Sequence, residues 1–230
     1  SDAEVQAALD EAGLTGKRLD DGELFERVAA DLSEKKVVGW CQGRFEMGPR
    51  ALGNRSILAD PRDLEIKAIL NDRIKHREPF RPFAPAVLAE RATDFFDVSQ
   101  PDPFMTLAPR VWKERVADIP SAVHVDGTAR IQTVRRDANP RFHRLIETFG
   151  NRTGVPVLLN TSFNRQEPIV ASPHDAVSCY LRTKMDVLVF NNFYVTDRNA
   201  GAEARARQSF DAQQAAMRRR VSGWRQIFES

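Results

Sequence analysis

The sequence predicts an α/β fold, a mixed twisted sheet with flanking helices, followed by one appended C-terminal helix. Three observations lead there. Short runs of branched and aromatic residues alternate with segments whose apolar residues recur at helical spacing. Three helical segments are announced by an N-cap residue before proline, at Asp60-Pro61, Asn139-Pro140 and Ser172-Pro173. After Ala200 the chain turns rich in Ala and Arg. Interleaving of this kind favours a mixed sheet over a helical bundle or a sandwich.

In chain order, residues 1–35 read as a peripheral helical lead-in, with Leu24, Phe25, Val28, Ala29 and Leu32 on one stripe. Val37 to Cys41 reads as a buried strand. Behind Asp60-Pro61, the residues Ile66, Ile69, Leu70 and Ile74 share a helical face. Behind Asn139-Pro140, Phe142, Leu145, Ile146 and Phe149 do the same, with Gly150 placed to end the helix. Strands are expected at Ala84 to Leu88, Phe104 to Val111, Arg130 to Val134, Val155 to Leu159 and Val187 to Phe190. Residues 36–197 form the main domain. The extension, 198–230, carries Phe210, Met217, Val221, Trp224 and Phe228 on a helical stripe expected to pack on the domain or on a partner.

Composition narrows the function classes. With 42% hydrophobic and 29% charged residues in 230, the chain is long enough for one sizeable core. Its net charge of +2 argues against a protein that coats nucleic acid or a membrane surface. No apolar run approaches the ~20 residues of a membrane span, and no secretory signal is visible, so a cytoplasmic location is expected. Cys41 and Cys179 lie far apart and read as buried small apolar residues. The four histidines, His76, His124, His143 and His174, are scattered, and no protein-bound metal is expected. The cations are 27 Arg and only 7 Lys. A codon preference is one explanation. The other is that guanidinium groups grip phosphate or carboxylate through paired hydrogen bonds, which Lys cannot do.

Where the arginines fall decides between them. Gly43 to Ser56 (GRFEMGPRALGNRS) follows a strand and carries three glycines, a proline and Arg44, Arg50 and Arg55. Glycines let a backbone approach an anion closely. The loop is neither a Walker loop nor a dinucleotide fingerprint. The plain alternative is a surface loop held by pairs between its arginines and Glu46 or Asp60. In Arg73 to Phe83 (RIKHREPFRPF), prolines 79 and 82 present Phe80 and Arg81 with little freedom, which suits a binding residue. Arg77 reads instead as decoration of a helix end, where a cation complements the dipole; Lys75 is open between the two. His124 to Arg130 (HVDGTAR) places an Asp-Gly turn before an arginine, and Leu159 to Asn164 (LNTSFN) leaves a strand into amide and hydroxyl groups. The ends of strands in α/β sheets are common ligand positions. His124 reads as either a structural histidine or a ligand contact.

Together, Gly43 to Arg62, Pro79 to Pro85, His124 to Val134, and Leu159 to Asn164 with Glu167 to Val170 resemble the C-terminal domain of the NodU/CmcH/TobZ carbamoyltransferases. The resemblance covers roughly Asp20 to Val195, and the tail after Ala200 falls outside it. It implies a YrdC-like fold that binds carbamoyl phosphate and ATP, the ATP entering with Mg as a substrate, and that forms carbamoyl-adenylate. A separate N-terminal domain of the actin/Hsp70-like class, in cis or in trans, would then carry the carbamoyl group to a hydroxyl acceptor. On this reading Arg50, Arg81 and Arg130 converge on phosphate, with Arg55 and Lys75 as second-choice contributors. Gly127 lets its loop approach the ligand, and Asn160 and Ser162, with Thr161 beside them, orient the carbamoyl group or its phosphate. No covalent nucleophile is required, because positioning and charge neutralisation carry this chemistry. The rivals are a non-catalytic module that binds carbamoyl phosphate, nucleotide or RNA, and a purely structural subunit. Membrane contact is not expected, and the near-neutral charge disfavours nucleic acid.

Overall fold

The computed structural model describes residues 1–46, 48–78 and 80–228, with side chains up to residue 216. Its elements are α1 (Asp2–Ala12), β1 (Lys17–Arg18), α2 (Asp21–Ser33), β2 (Val38–Cys41), β3 (Arg55–Ala59), α3 (Ile66–Ile69), β4 (Ala84–Leu88), β5 (Gln132–Val134), α4 (Pro140–Thr153), β6 (Val157–Ser162), α5 (Pro173–Arg182), β7 (Val187–Phe190), β8 (Phe193–Val195) and α6 (Ala200–Phe228). Among the described residues, eight strands form one sheet in the order β1-β8-β7-β2-β3-β6-β4-β5. The β2–β7 and β4–β5 pairs are parallel and the others antiparallel.

Because successive side chains of a strand face opposite ways, the apolar strands build two cores. Val38, Trp40, Leu58, Leu158, Val187 and Val189 pack with α2 and α4 on one face. Cys41, Ile57, Ala59, Val157, Leu159 and Leu188 pack with α1, α3 and α5 on the other. The central strands are covered on both sides, so β2, β7 and the inner parts of β3 and β6 are apolar, as buried strand segments must be, while the polar residues Arg55, Ser56, Asn160, Thr161 and Ser162 fall at the end where β3 begins and β6 finishes. This is the mixed α/β fold that the sequence predicts.

Several local expectations need correction. The lead-in is not peripheral: Leu24, Val28, Ala29 and Leu32 of α2 are fully buried, and β1 pairs with β8. Asp60 does not cap a helix, because Arg62 occupies its carboxylate with its backbone N–H and its guanidinium, so helical structure starts only at Ile66. From Leu70 to Lys75 that helix widens into a π-helical turn and stops at His76, whose φ is 46°. Asn139 and Ser172 do cap α4 and α5, but α4 runs past Gly150 to Thr153 and ends at Gly154. Segment 104–111 is not a strand. Asp102 gathers the N–H groups of Phe104, Thr106 and Leu107 into a turn instead. β3, β1 and β8 are strands that the apolar patterns did not single out. In α6, Ala202 and Ala206 join the core; the side chains of Met217, Val221, Trp224 and Phe228, on which the expected stripe depends, lie outside the described residues.

Candidate functional site

One end of the sheet gathers the C-terminal ends of β2 and β6 and the N-terminal ends of β3, β4 and β5. All four motif segments meet there. The β2–β3 connection is folded inward by a half-buried carboxylate: Glu46 accepts from the N–H groups of Leu52 (2.6 Å), Asn54 (2.9 Å) and Arg55 (3.0 Å). Burial pushes the Glu46 carboxyl up, against these three hydrogen bonds. Trp40 Nε1 donates to the Gly53 carbonyl at 3.0 Å. Gly53 has φ 109°, and a Cβ there would stand 2.2 Å from the Phe142 ring, so only glycine fits. Glu46 thus holds this loop through backbone rather than through an arginine, and Asp60 is engaged by Arg62.

The cleft this loop helps to close has a volume of about 110 Å³ and is lined by Arg50, Ala51, Arg77, Met105, Arg130 and the Asn160–Ser162 edge, with Phe83 and its neighbours behind. That is room for a phosphate-sized group, since whole drug-sized ligands occupy ~300–1,000 Å³. Its charge is concentrated. Burial, followed by Arg50, pushes the pKa of Arg130 down, and Arg130 Nε is buried with no hydrogen-bond partner. Burial, followed by Arg81, pushes Arg77 down, with Arg130 adding to it and Glu78 opposing. Arg77 is held by Asn71 Oδ1 at 2.7 Å and stands over the Phe83 ring at 4.6 Å.

At the floor lies Asn160, 1% exposed. Its Nδ2 donates to the Ala51 carbonyl (3.1 Å) and to Gln132 Oε1 (2.8 Å). Gln132 in turn is oriented by donating Nε2 to the Leu52 carbonyl at 2.8 Å. Both partners of Asn160 are acceptors, so its NH₂ must point at them and Oδ1 is left over. That oxygen is buried without a partner. A buried unpaired acceptor costs about 1–3 kcal/mol unless a donor arrives.

Lys75 lies under the cleft rather than in it. Its ammonium donates to Ser162 O (2.6 Å), Asn164 O (2.8 Å) and Asn164 Oδ1 (2.7 Å), with Ser162 Oγ at 3.3 Å. Burial pushes its pKa down to about 7, with Arg77 adding to the shift and Cys179 and Glu167 opposing it. It fixes the β6 edge that Ser162 and Thr161 present.

The sequence-predicted residues therefore divide. Arg50, Arg130, Asn160, Thr161 and Ser162 line the cleft. Arg81 does not: it is exposed on the rim and faces Glu78 at 3.7 Å. Pro79, invoked for its rigidity, lies outside the described residues. Arg55 is committed to the carbonyls of Gln42 (2.7 Å), Asn54 (2.8 Å) and Gly43 (3.2 Å) and stacks on Phe190, so it is a structural arginine. Gly127 turns the chain at φ 79° in open space and shapes the loop before Arg130 without lining the cleft. His124 also stays outside the lining. Thr128 Oγ1 donates to Asp126 Oδ1 at 2.7 Å, so the 3.0 Å contact with His124 Nδ1 is a donation from the imidazole. His124 Nε2 therefore carries the lone pair and is buried unpartnered. Arg77 and Asn164 are the residues that sequence reasoning missed. The repeated spacing Lys75-x-Arg77 and Ser162-x-Asn164, two polar pairs at strand and helix ends, was the available signal. Among the described residues, no group of three or more His, Cys, Asp or Glu side chains stands close enough to hold a metal ion, and no helix is long and apolar enough to cross a membrane. Phe83 is buried, while Phe80 is exposed.

Fold and cleft together define the class: an α/β domain whose strand ends carry converging guanidinium groups and an unpaired amide oxygen. The family model described as carbamoyltransferase C-terminus matches residues 29–197, and the chain belongs to that family. The nodulation protein NolNO of Sinorhizobium fredii is 47% identical over 191 residues, which cover 81% of this chain and 28% of that protein. The 3'-hydroxymethylcephem-O-carbamoyltransferase of Amycolatopsis lactamdurans is 40% identical over 187 residues, covering 80% of this chain and 35% of that protein. An uncharacterized protein of Synechocystis is 46% identical over 194 residues, 75% of this chain and 32% of that one. The chain thus spans roughly a third of the length of these relatives. Among solved structures, full-length HypF in its phosphate- and nucleotide-bound form shares the fold, with a TM-score of 0.53 and 22% identity over 80% of this chain and 23% of HypF.

Proposed function

We propose that this chain is the carbamoyl phosphate- and ATP-binding domain of an O-carbamoyltransferase, and that it forms carbamoyl-adenylate for transfer to a hydroxyl acceptor by a separate N-terminal domain. One observation carries the reading: the cleft pairs three guanidinium groups with a buried acceptor that lacks a donor. A bare phosphate offers no N–H to Asn160 Oδ1. Carbamoyl phosphate offers both a dianionic phosphate and an amide NH₂. Arg50, Arg77 and Arg130 take the phosphate, Asn160 accepts from the carbamoyl nitrogen, and Ser162 and Thr161 supply hydroxyl contacts. Family membership and the length of the relatives support the partner domain.

In the proposed reaction, water cleaves carbamoyl phosphate to carbamate and inorganic phosphate. A carbamate oxygen then attacks the α-phosphorus of ATP and pyrophosphate leaves. Arg77 and Arg130, already partly desolvated, stabilise the charge that accumulates on the departing phosphate without having to reorganise. The nucleoside lies outside the small cleft, and Arg81 on the rim is placed to meet its phosphates. Mg enters with ATP as part of that substrate.

The test is ATP–pyrophosphate exchange that depends on carbamoyl phosphate, measured with the chain alone and with the N-terminal domain of a relative added. Exchange that appears only with carbamoyl phosphate and is lost in Arg130→Ala is the expected result. Tight carbamoyl phosphate binding with no exchange in either setting would replace this reading by the non-catalytic module.

A further inference from the structure

The helix α6 begins at Ala200, beyond the matched residues 29–197, yet it touches the structure that supports the cleft. The Phe210 ring lies 3.8 Å from the guanidinium of Arg182. That guanidinium donates Nη2 to Glu167 Oε1 at 2.7 Å, and the two side chains are only 4% and 11% exposed. Glu167 in turn holds the loop after β6: its backbone carbonyl accepts from Asn164 Nδ2 at 2.6 Å, and its carboxylate from the Gln166 N–H at 3.0 Å. Asn164 Oδ1 accepts from Ser162 Oγ at 2.8 Å and from Lys75 at 2.7 Å. Ser162 lines the cleft.

We infer that α6 is a positioning element for the cleft: Phe210 covers the Arg182–Glu167 pair, and that pair fixes the loop 162–167 in the arrangement that Ser162 and Lys75 need. The physical reason lies in burial. An ion pair holds its geometry when water is excluded and loosens when water competes for its donors. Phe210 is the side chain of α6 stacked on the open face of Arg182, and it adds a cation–π attraction. Beside it, a cavity of about 270 Å³ between α6 and residues 167–171 leaves few other atoms to do the covering. Arg182 Nη1 is buried without a partner, so the orientation of this guanidinium rests on Glu167, on Ser178 Oγ at 3.3 Å, and on the ring. The matched family residues end at 197, so α6 lies outside the family model.

The consequence for ligand affinity rests on the proposed carbamoyl phosphate site; the consequence for loop order does not. Amide hydrogen exchange of residues 162–170 and carbamoyl phosphate affinity are measured for the intact chain, for Phe210→Ala, for Phe210→Tyr, which keeps the ring, and for Arg205→Ala as a control on the same helix. Phe210→Ala should raise exchange in 162–170 and weaken carbamoyl phosphate roughly three- to tenfold, a loss within the range of one cation–π contact. Phe210→Tyr should restore both and Arg205→Ala should change neither. Phe210→Leu, apolar but without a ring, guards against a variant that fails to fold and should behave like Phe210→Ala. Unchanged exchange in 162–170 overturns the inference, even if the melting temperature falls. If the intact chain binds no carbamoyl phosphate, the functional reading fails, and the exchange data alone decide the role of α6.

Discussion

Arg77 and Arg81 lie four residues apart and differ in what surrounds them. Arg77 has given up much of its water to Phe83 and Asn71 and faces the cleft, whereas Arg81 remains hydrated beside Glu78. A desolvated guanidinium binds an anion more strongly than a hydrated one. Arg77→Ala should therefore weaken carbamoyl phosphate roughly ten- to hundredfold, in the range of a charged hydrogen bond, and Arg81→Ala less than about threefold, a ranking that calorimetric titration reads directly. Sequence reasoning ranks these two the other way, and the cause is local. Treating Arg77 as a helix end assumes a regular helix through Lys75; the π-helical turn and the left-handed His76 break that helix and swing Arg77 toward the sheet. Arg50, Arg130 and Asn160 were legible because each stands beside a glycine, a turn or a strand end. No pattern of residue types marks the orphaned oxygen of Asn160, which arises only when Ala51 and Gln132 close on it from distant parts of the chain.

At the scale of elements, two carboxylates organise the loops around the cleft. Glu46 holds the β2–β3 loop with three backbone hydrogen bonds, so Glu46→Ala should cost roughly 2 kcal/mol of stability, the worth of hydrogen bonds to a charged acceptor. It should also lower carbamoyl phosphate affinity, because Arg50 and Ala51 ride on that loop; chemical denaturation and titration of one preparation check both. Glu167 holds the other loop. Burial alone would push its carboxyl up, but the hydrogen bond from Arg182, together with the neighbouring backbone, brings it down to about 2. A carboxyl lowered in the folded state contributes stability above its unfolded value of 4.5, and that contribution is lost as pH falls toward 2. Denaturation between those limits should show a steeper acid loss in the native chain than in Glu167→Gln, and equal slopes would contradict the pairing. Helix starts were readable where the cap side chain is free to serve, at Asn139 and Ser172. At Asp60 the same signal misled because Arg62 took the carboxylate first. Likewise, Phe104 to Val111 has strand-like residues, but four hydrogen bonds to Asp102 bend it into a turn and bring Met105 to the cleft wall at φ 59°.

For the molecule as a whole, the near-neutral net charge hides an uneven distribution. Many arginines are spent within the fold: Arg55 on carbonyls, Arg62 on Asp60, Arg182 on Glu167, and Arg198 on the carbonyls of Tyr180, Thr183 and Met185. Arg50, Arg77 and Arg130 instead line the cleft at one end of the sheet, where strands from distant parts of the sequence terminate together. The α/β class was readable because apolar strand runs alternate with helical stripes, and both faces of the central sheet are covered. The order of the strands was not, because it depends on which loops can cross which end. On the proposed function, this end of the sheet binds carbamoyl phosphate as one unit, through its phosphate and its amide. Calorimetric titration of the 230-residue chain with carbamoyl phosphate, beside Arg130→Ala, Asn160→Leu and Arg205→Ala, with inorganic phosphate as a second ligand, tests it most directly. Arg130→Ala should weaken both ligands, Asn160→Leu should weaken carbamoyl phosphate far more than inorganic phosphate, and Arg205→Ala should weaken neither. Equal affinities for carbamoyl phosphate in all four proteins would contradict it.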